Sequence, residues 1–329
     1  MNTTEKTAPA AGASTRVTLE DIRAAAVILD GVAVRTPLIE APALSRITGV
    51  PVALKCEHLQ PIGAFKIRGA YHAIARLPAE DRVRGVVTHS SGNHGQAVAY
   101  AAQRLGVRAV IVMPEDATRV KVEGVQRYGG EVVFVHDRTQ RESRCMQLAA
   151  ERGLVVVPPY ENPDVIAGQG TCGLEILEDW PQVETILVPV GGGGLIAGIA
   201  TAAVALKPGI RVIGVEPAGA AKLSAALAAG RPTRLERSHS IADGLLPLSV
   251  GVLPFQHLDG VVHQAVRVEE DDLAQAVRFL HDEMGLRVEP SGAASTAALL
   301  AGRYQPTGPA VAVISGGNVD PDVFYRLTH

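Results

Sequence analysis

The chain has 329 residues, a formal net charge of -3, 47% apolar residues, 4% aromatic residues and 34 glycines. That length buries a substantial core in two modest domains or one large α/β domain, and the charge, with no basic run or interleaved aromatics, gives no electrostatic case for nucleic acid. Small-molecule chemistry is the remaining expectation, carried by small-residue helices packed on sheets with many tight loops.

Residues 1–16, rich in Ala, Thr and Ser, lack the continuous apolar core of a signal peptide, and a disordered tail is expected there. No later apolar run reaches membrane-spanning length without glycine or charge, so no membrane partner is expected. Leu19–Leu29 has helical spacing, which Arg35-Thr36-Pro37-Leu38 breaks before a short strand at Val52–Lys55. Lys66 opens a helix running to about Leu77. Short apolar runs then alternate with helical stretches: strand Gly85–Thr88, helix Asn93–Leu105, strand Ala109–Met113, helix Arg119–Tyr128, strand Glu131–Val135, helix Gln140–Arg152 and strand Leu154–Val157. The alternation resumes with helix Asp164–Trp180, strand Thr185–Val190, helix Leu195–Leu206, strand Arg211–Val215 and helix Ala220–Ala229. A looser, proline-containing section from Arg231 to Val262 precedes strand Val262–Val268, helices Asp271–Met284 and Gly292–Leu300, and strand Pro309–Ile314. Strand–helix alternation implies α/β units with mostly parallel, twisted sheets covered by helices. Two are expected, a large one from 17–82 with 158–329 and a small mobile one from 83–157, with the site in the cleft at the carboxyl ends of the strands. Cys56, Cys145 and Cys172 are widely separated and show neither CxxC nor Cys/His ligand spacing, which fits a reducing cytoplasm.

Four stretches carry chemistry. In Gly63-Ala64-Phe65-Lys66-Ile67-Arg68-Gly69-Ala70, a lysine lies between apolar neighbours. Apolar surroundings lower an ammonium's pKa and expose the nucleophilic amine that a Schiff-base lysine needs. Gly191-Gly192-Gly193-Gly194 follows an apolar strand and precedes a helix, so successive N–H groups and a positive helix end can hold the phosphate of a monoester. Ser90-Ser91-Gly92-Asn93-His94-Gly95, at another helix N-terminus, offers hydroxyls, an amide and N–H groups to a carboxylate. Ser315-Gly316-Gly317-Asn318 ends the last strand, where two glycines let a planar group approach and Ser315 is a neutral hydrogen-bond partner. Read singly, each is also what a solvated lysine, a flexible turn or a capped helix start looks like. GxSxG and HExxH are absent, the ten histidines show no metal spacing, and Glu269-Glu270 with Asp271-Asp272 reads as a solvated helix cap.

Together, in this order, the four motifs resemble the pyridoxal-phosphate enzymes of fold type II, and more narrowly the threonine/serine dehydratase and serine racemase family. The resemblance runs from about Thr36 to Asn318 and includes Val165-Ile166-Ala167-Gly168-Gln169-Gly170-Thr171, Gly214-Val215-Glu216-Pro217 and Ile241-Ala242-Asp243-Gly244. It implies that Lys66 carries pyridoxal 5'-phosphate as a Schiff base, with Phe65 packed by the ring. Asn93 would bond the ring hydroxyl, Gly191, Gly192, Gly193 and Gly194 would hold the phosphate, and Ser315 would face the pyridine nitrogen. Because a hydroxyl is a poor acid, that nitrogen stays largely unprotonated, which favours elimination over transamination. Ser90, Ser91, Gly92, Asn93 and His94 would bind the substrate, and the large unit would be the cofactor-binding one.

Three departures stand out: Ala64 where the family usually has serine, Pro247 where racemase-like members carry a substrate-contacting serine, and Lys222 where some members have an aspartate that helps Glu216 ligate a cation. No metal is therefore expected, with Lys222 filling the Glu216 site. The leading expectation is an ammonia-lyase that converts threonine, serine or a bulkier 3-hydroxy amino acid to a 2-oxo acid, with Lys66 as the base. The alternative is an amino-acid racemase using Lys66 on one face of the ring and Ser91 on the other; a third is a cofactor-binding sensor without turnover. A homodimer with a small amino-acid substrate is expected.

Overall fold

A computed structural model of the protein describes residues 16–90, 92–117, 119–262 and 264–329. Of the expected tail, residues 1–15 lie outside that range. Arg16 is tied to the carbonyl of Gln256, and the N–H of Val17 donates to His257 Nε2 at 2.8 Å.

The first segments are α1 (Leu19–Leu29), β1 (Leu38–Glu40), α2 (Pro42–Thr48), β2 (Val52–Cys56), α3 (Lys66–Ala75) and α4 (Ala79–Arg84). The middle of the chain gives β3 (Val86–His89), α5 (Asn93–Leu105), β4 (Ala109–Pro114), α6 (Arg119–Arg127), β5 (Glu131–Val135), α7 (Arg141–Arg152) and β6 (Val155–Val156). Then follow α8 (Pro163–Asp179), β7 (Thr185–Pro189), α9 (Gly194–Leu206), β8 (Arg211–Pro217), α10 (Lys222–Ala229) and α11 (Val252–Leu258). The chain closes with β9 (Ala265–Val268), α12 (Glu270–Met284), α13 (Pro290–Leu300), β10 (Ala310–Ile314) and α14 (Pro321–Thr328).

Two sheets result, ordered β1-β2-β10-β7-β8-β9 and β5-β4-β3-β6; every pairing is parallel except the β1–β2 edge. Their central strands are apolar on both faces, as a sheet covered on both sides requires. Val311 and Val313 of β10 join one core with α1, α8 and α9, while Ala310, Ala312 and Ile314 join the opposite core with α12 and α13. In the smaller sheet Ile111 and Met113 face α3 and α5, whereas Val110 and Val112 face α7. Helices α8 and α9 pack backbone to backbone, because a Cβ on Gly198 would overlap the backbone of Gly170. Among the described residues no helix is long and apolar enough to cross a membrane.

The helix α11 falls in the section the sequence leaves loose. Pro254 sits in its first turn, where a missing N–H costs nothing, so the proline does not break the helix. Helices α2, α4 and α14 and strand β1 are likewise short elements without a clear period. The expected strand Val262–Val268 contracts to Ala265–Val268, and α10 starts at Lys222 because Ala218–Ala220 forms a 3-10 turn.

Candidate active site

The turns that follow β3, β6, β7 and β10 at their carboxyl ends meet around the first residue of α3, Lys66. The approach to α3 is fixed by the loop after β10. Ala64 bridges Gly316, Phe65 N–H donates to Ser315 O at 3.1 Å, and Gly317 N–H donates to Gly63 O at 2.9 Å. Lys66 is partly buried; its Nζ donates to Pro159 O at 2.9 Å and lies 5.1 Å from the centre of the Phe65 ring. Loss of hydration lowers its pKa to about 8, so an appreciable neutral fraction exists near physiological pH. Beneath α3 the buried Arg68 binds Glu57 at 2.8 Å and Glu175 at 2.6 Å, and Lys55 binds Glu175 at 2.6 Å. Two cations against two carboxylates leave this cluster balanced, and it anchors the turn carrying Lys66.

The four glycines lie between β7 and α9. Gly193 has φ 95°, a left-handed conformation that a side chain disfavours. A Cβ on Gly192 would overlap the ring of Tyr160, which therefore packs directly on the glycine loop, one residue after the Pro159 carbonyl that holds Lys66. Among the described residues no protein group accepts from the N–H of Gly191, Gly192, Gly193 or Gly194, although three of the four are buried. Buried donors are normally paired, so these four, at the positive end of α9, are suited to an anion.

Asn93 begins α5. Its Nδ2 donates to Glu289 Oε1 at 2.6 Å, and its Oδ1 accepts from Asn318 Nδ2, which also donates to Ile62 O, both at 2.8 Å. Asn93, Ser315 and Lys66 are thus brought together by one hydrogen-bonded frame. The Ser315 hydroxyl is buried and makes only a long, 3.5 Å contact to Ser291 O. Ser90 Oγ accepts from Gly92 N–H at 3.1 Å, while among the described residues no protein group accepts from the N–H groups of Asn93 and His94. The His94 ring turns away: Nε2 meets Val157 O at 3.0 Å, and burial, helped by the Lys66 charge, pushes its pKa down to about 3. His94 can therefore offer an anion its backbone N–H but not a charged imidazole. Ser91 lies outside the described residues.

Glu216 and Lys222 are both fully buried. Lys222 Nζ donates to Ala220 O and Leu245 O at 2.9 Å each and stands 3.8 Å from Glu216 Oε2. Glu216 in turn accepts from the N–H groups of Leu223 and Ser224 at 2.7 and 2.8 Å. Among the described residues no group of three or more His, Cys, Asp or Glu could hold a metal ion.

Sequence reading missed Tyr160, Glu289, the structural role of Asn318, and an ion pair between Lys121 of α6 and Asp243 in the turn after α10. Asp243, inside the Ala-Asp-Gly turn, and Asn318, at the end of the Ser-Gly-Gly-Asn stretch, carried a signal; Glu289 before Pro290 reads as an ordinary helix start.

The donor set fits pyridoxal phosphate. It supplies an amine of low basicity for the aldehyde, four unpaired N–H groups for the phosphate, an aromatic wall, and a buried neutral hydroxyl for the ring. Comparison with known proteins agrees. The L-threonine ammonia-lyase of Thermotoga maritima is 42% identical over 315 residues, covering 94% of this chain and 78% of that one. The structure of maize serine racemase matches with a TM-score of 0.90 at 37% identity, covering 94% of this chain and 96% of that one. The processed form of threonine deaminase isoform 2 from Solanum lycopersicum matches with a TM-score of 0.88 at 36% identity, covering 94% of this chain and 86% of that one. With residues 29–316 also matching the family described as pyridoxal-phosphate dependent enzyme, the chain belongs to that family and has its type II fold.

Proposed function

We propose that the protein is an ammonia-lyase that converts a 3-hydroxy amino acid, threonine being the first candidate, to a 2-oxo acid and ammonia. The observation that carries this reading is the placement of one low-pKa lysine between the unpaired amides of Gly191–Gly194 and the neutral hydroxyl of Ser315. The similarity to threonine ammonia-lyase over nearly the whole chain supports it. When bound, pyridoxal phosphate supplies an electron sink for bonds at the substrate α-carbon.

The residues do the rest. Lys66 would hold the cofactor through Nζ, the same amine that would take the substrate α-proton. Gly191 to Gly194 would hold the phosphate, Phe65 would pack beside the ring, and Asn93 and Ser315 would supply the hydrogen-bonding groups for the ring hydroxyl and ring nitrogen. Ser90, Ser91 and the N–H groups after Gly92 hold the substrate carboxylate. The 83–157 unit closes over the cleft, where Lys121 meets Asp243 from the opposite side. Lys222 stands in for a cation beside Glu216. The protein works as a cytoplasmic homodimer, a location supported by its three free, buried cysteines.

Substituting Lys66→Ala tests the assignment. It should abolish both the visible absorbance and the covalent attachment of cofactor that borohydride reduction otherwise leaves on the chain, and a variant that still holds reducible cofactor would sink it. A racemase is the second reading, favoured by the match to maize serine racemase. It needs Ser91 as the acid on the face opposite Lys66. If Ser91→Ala abolishes racemisation and spares elimination, that role stands; equal loss of both assigns Ser91 to the carboxylate.

A further inference from the structure

We propose that Glu289 is a positioning residue for the reaction, fixing which end of the Asn93 amide faces the site. The proposal rests on the reading of Lys66 and Asn93 as neighbours of the cofactor. A glutamate ahead of a helix ordinarily stays near water and its own helix N-terminus. Glu289 does neither: it is 3% exposed, and its side chain makes no cap to α13. It reaches across to α5, where Oε1 accepts from Asn93 Nδ2 at 2.6 Å.

The chemistry of the two groups gives this bond a direction. An amide has a donor end and an acceptor end and can be flipped, whereas an ionised carboxylate only accepts. Glu289 therefore admits the NH2 end alone and leaves Asn93 Oδ1 to accept from Asn318, at 2.8 Å. Asn318 also donates to Ile62 O, at the start of the loop leading to Lys66. The frame around the lysine thus runs between two acceptor-only groups, the Ile62 carbonyl, which fixes the Asn318 amide, and Glu289, which fixes the NH2 end of Asn93. Glutamine at 289 would keep the shape but accept either end of Asn93. The space is tight as well, since a Cβ on Gly316 would overlap Glu289 Oε1 and fall 3.1 Å from Asn93 Nδ2.

The charges facing Glu289 are Asp243, from the turn after α10, and Lys121, from α6. Burial and the Asp243 charge push the carboxyl up to about 7, against the opposing pull of Lys121 and of the Asn93 hydrogen bond. A protonated Glu289 can donate as well as accept, so discrimination between the two ends of Asn93 is lost on the acid side.

The test uses holoenzyme with Glu289→Gln, Asn93→Ala and the double variant. Each is assayed for kcat and KM with threonine from about pH 5.5 to 9, and for the visible spectrum of the bound cofactor without substrate. The parent should lose kcat on the acid side of about pH 7, with its spectrum changing in step. Glu289→Gln should remove that limb, lower kcat about tenfold, as loss of one oriented hydrogen bond allows, and change KM by less than about threefold. Asn93→Ala should remove the same limb with Glu289 still in place, which keeps the test decisive if the glutamine variant does not fold. Adding Glu289→Gln to Asn93→Ala should change nothing further. Parental kcat, pH profile and spectrum in Glu289→Gln would overturn the proposal, as would a full additional loss in the double variant. Reducible cofactor surviving Lys66→Ala would instead overturn the assignment of the site itself.

Discussion

The buried ammonium of Lys222 permits a quantitative prediction. Lys222→Met keeps an unbranched stem of similar length, so the packing beside Glu216 is largely preserved and the charge alone is removed. Lost with it are two hydrogen bonds of 2.9 Å, to Ala220 O and Leu245 O, and the partner 3.8 Å from a fully buried carboxylate. Taking away one member of a buried ion pair costs roughly 3–5 kcal/mol, a figure that already contains the orphaned carbonyls. With an unfolding entropy of roughly 2.1 cal/mol/K per residue, a chain of 329 residues shifts by roughly 1.5 °C per kcal/mol, and the thermal midpoint of the holoenzyme should fall by roughly 4–7 °C. Cofactor binding should weaken too, because Leu245 belongs to the Asp243–Leu245 turn, and a Cβ on Gly191 of the glycine loop would lie 2.9 Å from Gly244 O in that turn. Thermal unfolding followed by circular dichroism reads the first effect and titration of the apo-protein with pyridoxal phosphate the second. Lys222→Asp should open the oxygen cage to a hard cation, so that added magnesium raises its midpoint while leaving the parent unmoved. A Lys222→Met midpoint within about 1 °C of the parent would refute the reasoning. So would inactivation of the parent by chelator with recovery on adding the metal.

Gly192→Ala places a methyl against the Tyr160 ring, and the overpacking should destabilise the apo-protein by roughly 1–3 kcal/mol and, by shifting the glycine loop, weaken cofactor affinity; unchanged affinity would separate the loop from the phosphate. Burial lowers Lys66 from its ordinary 10.5 to about 8, so between those values the unfolded chain binds more protons than the folded apo-protein, and this lysine makes stability rise with pH across that window. Lys66→Met should remove that contribution in pH-dependent denaturant titrations, and an unaltered slope would show the amine to be solvated. Leu246 and Pro247 are both partly buried in the turn beside the glycine loop, and Pro247 supplies neither a hydroxyl nor an N–H; threonine or a bulkier 3-hydroxy amino acid should exceed serine in kcat/KM, and serine as the best substrate would contradict that.

What the sequence by itself determined was local. The switch between short apolar runs and helical spacing announced the parallel sheets because both faces of such strands are buried and their residues need no alternation. The four glycines after β7 declared a backbone cradle because nothing but close approach and the left-handed turn at Gly193 requires them in a row. Lys66 declared itself through its apolar flanks. What the tertiary structure decided was which distant polar groups complete those sites. Glu289 meets Asn93 across 196 residues of chain, Lys66 finds the Pro159 carbonyl across 93, and Lys121 meets Asp243 across 122. No periodicity encodes such pairs. A charged side chain at a helix start looks the same in sequence whether it is solvated or buried, and only the packing of the neighbouring elements removes the water and leaves it a single partner. His94 shows the same limit from the other side. Its place in the Ser-Asn loop was legible, but the direction of its ring was set by the Val157 carbonyl at another strand's end, which engages Nε2 inside the fold.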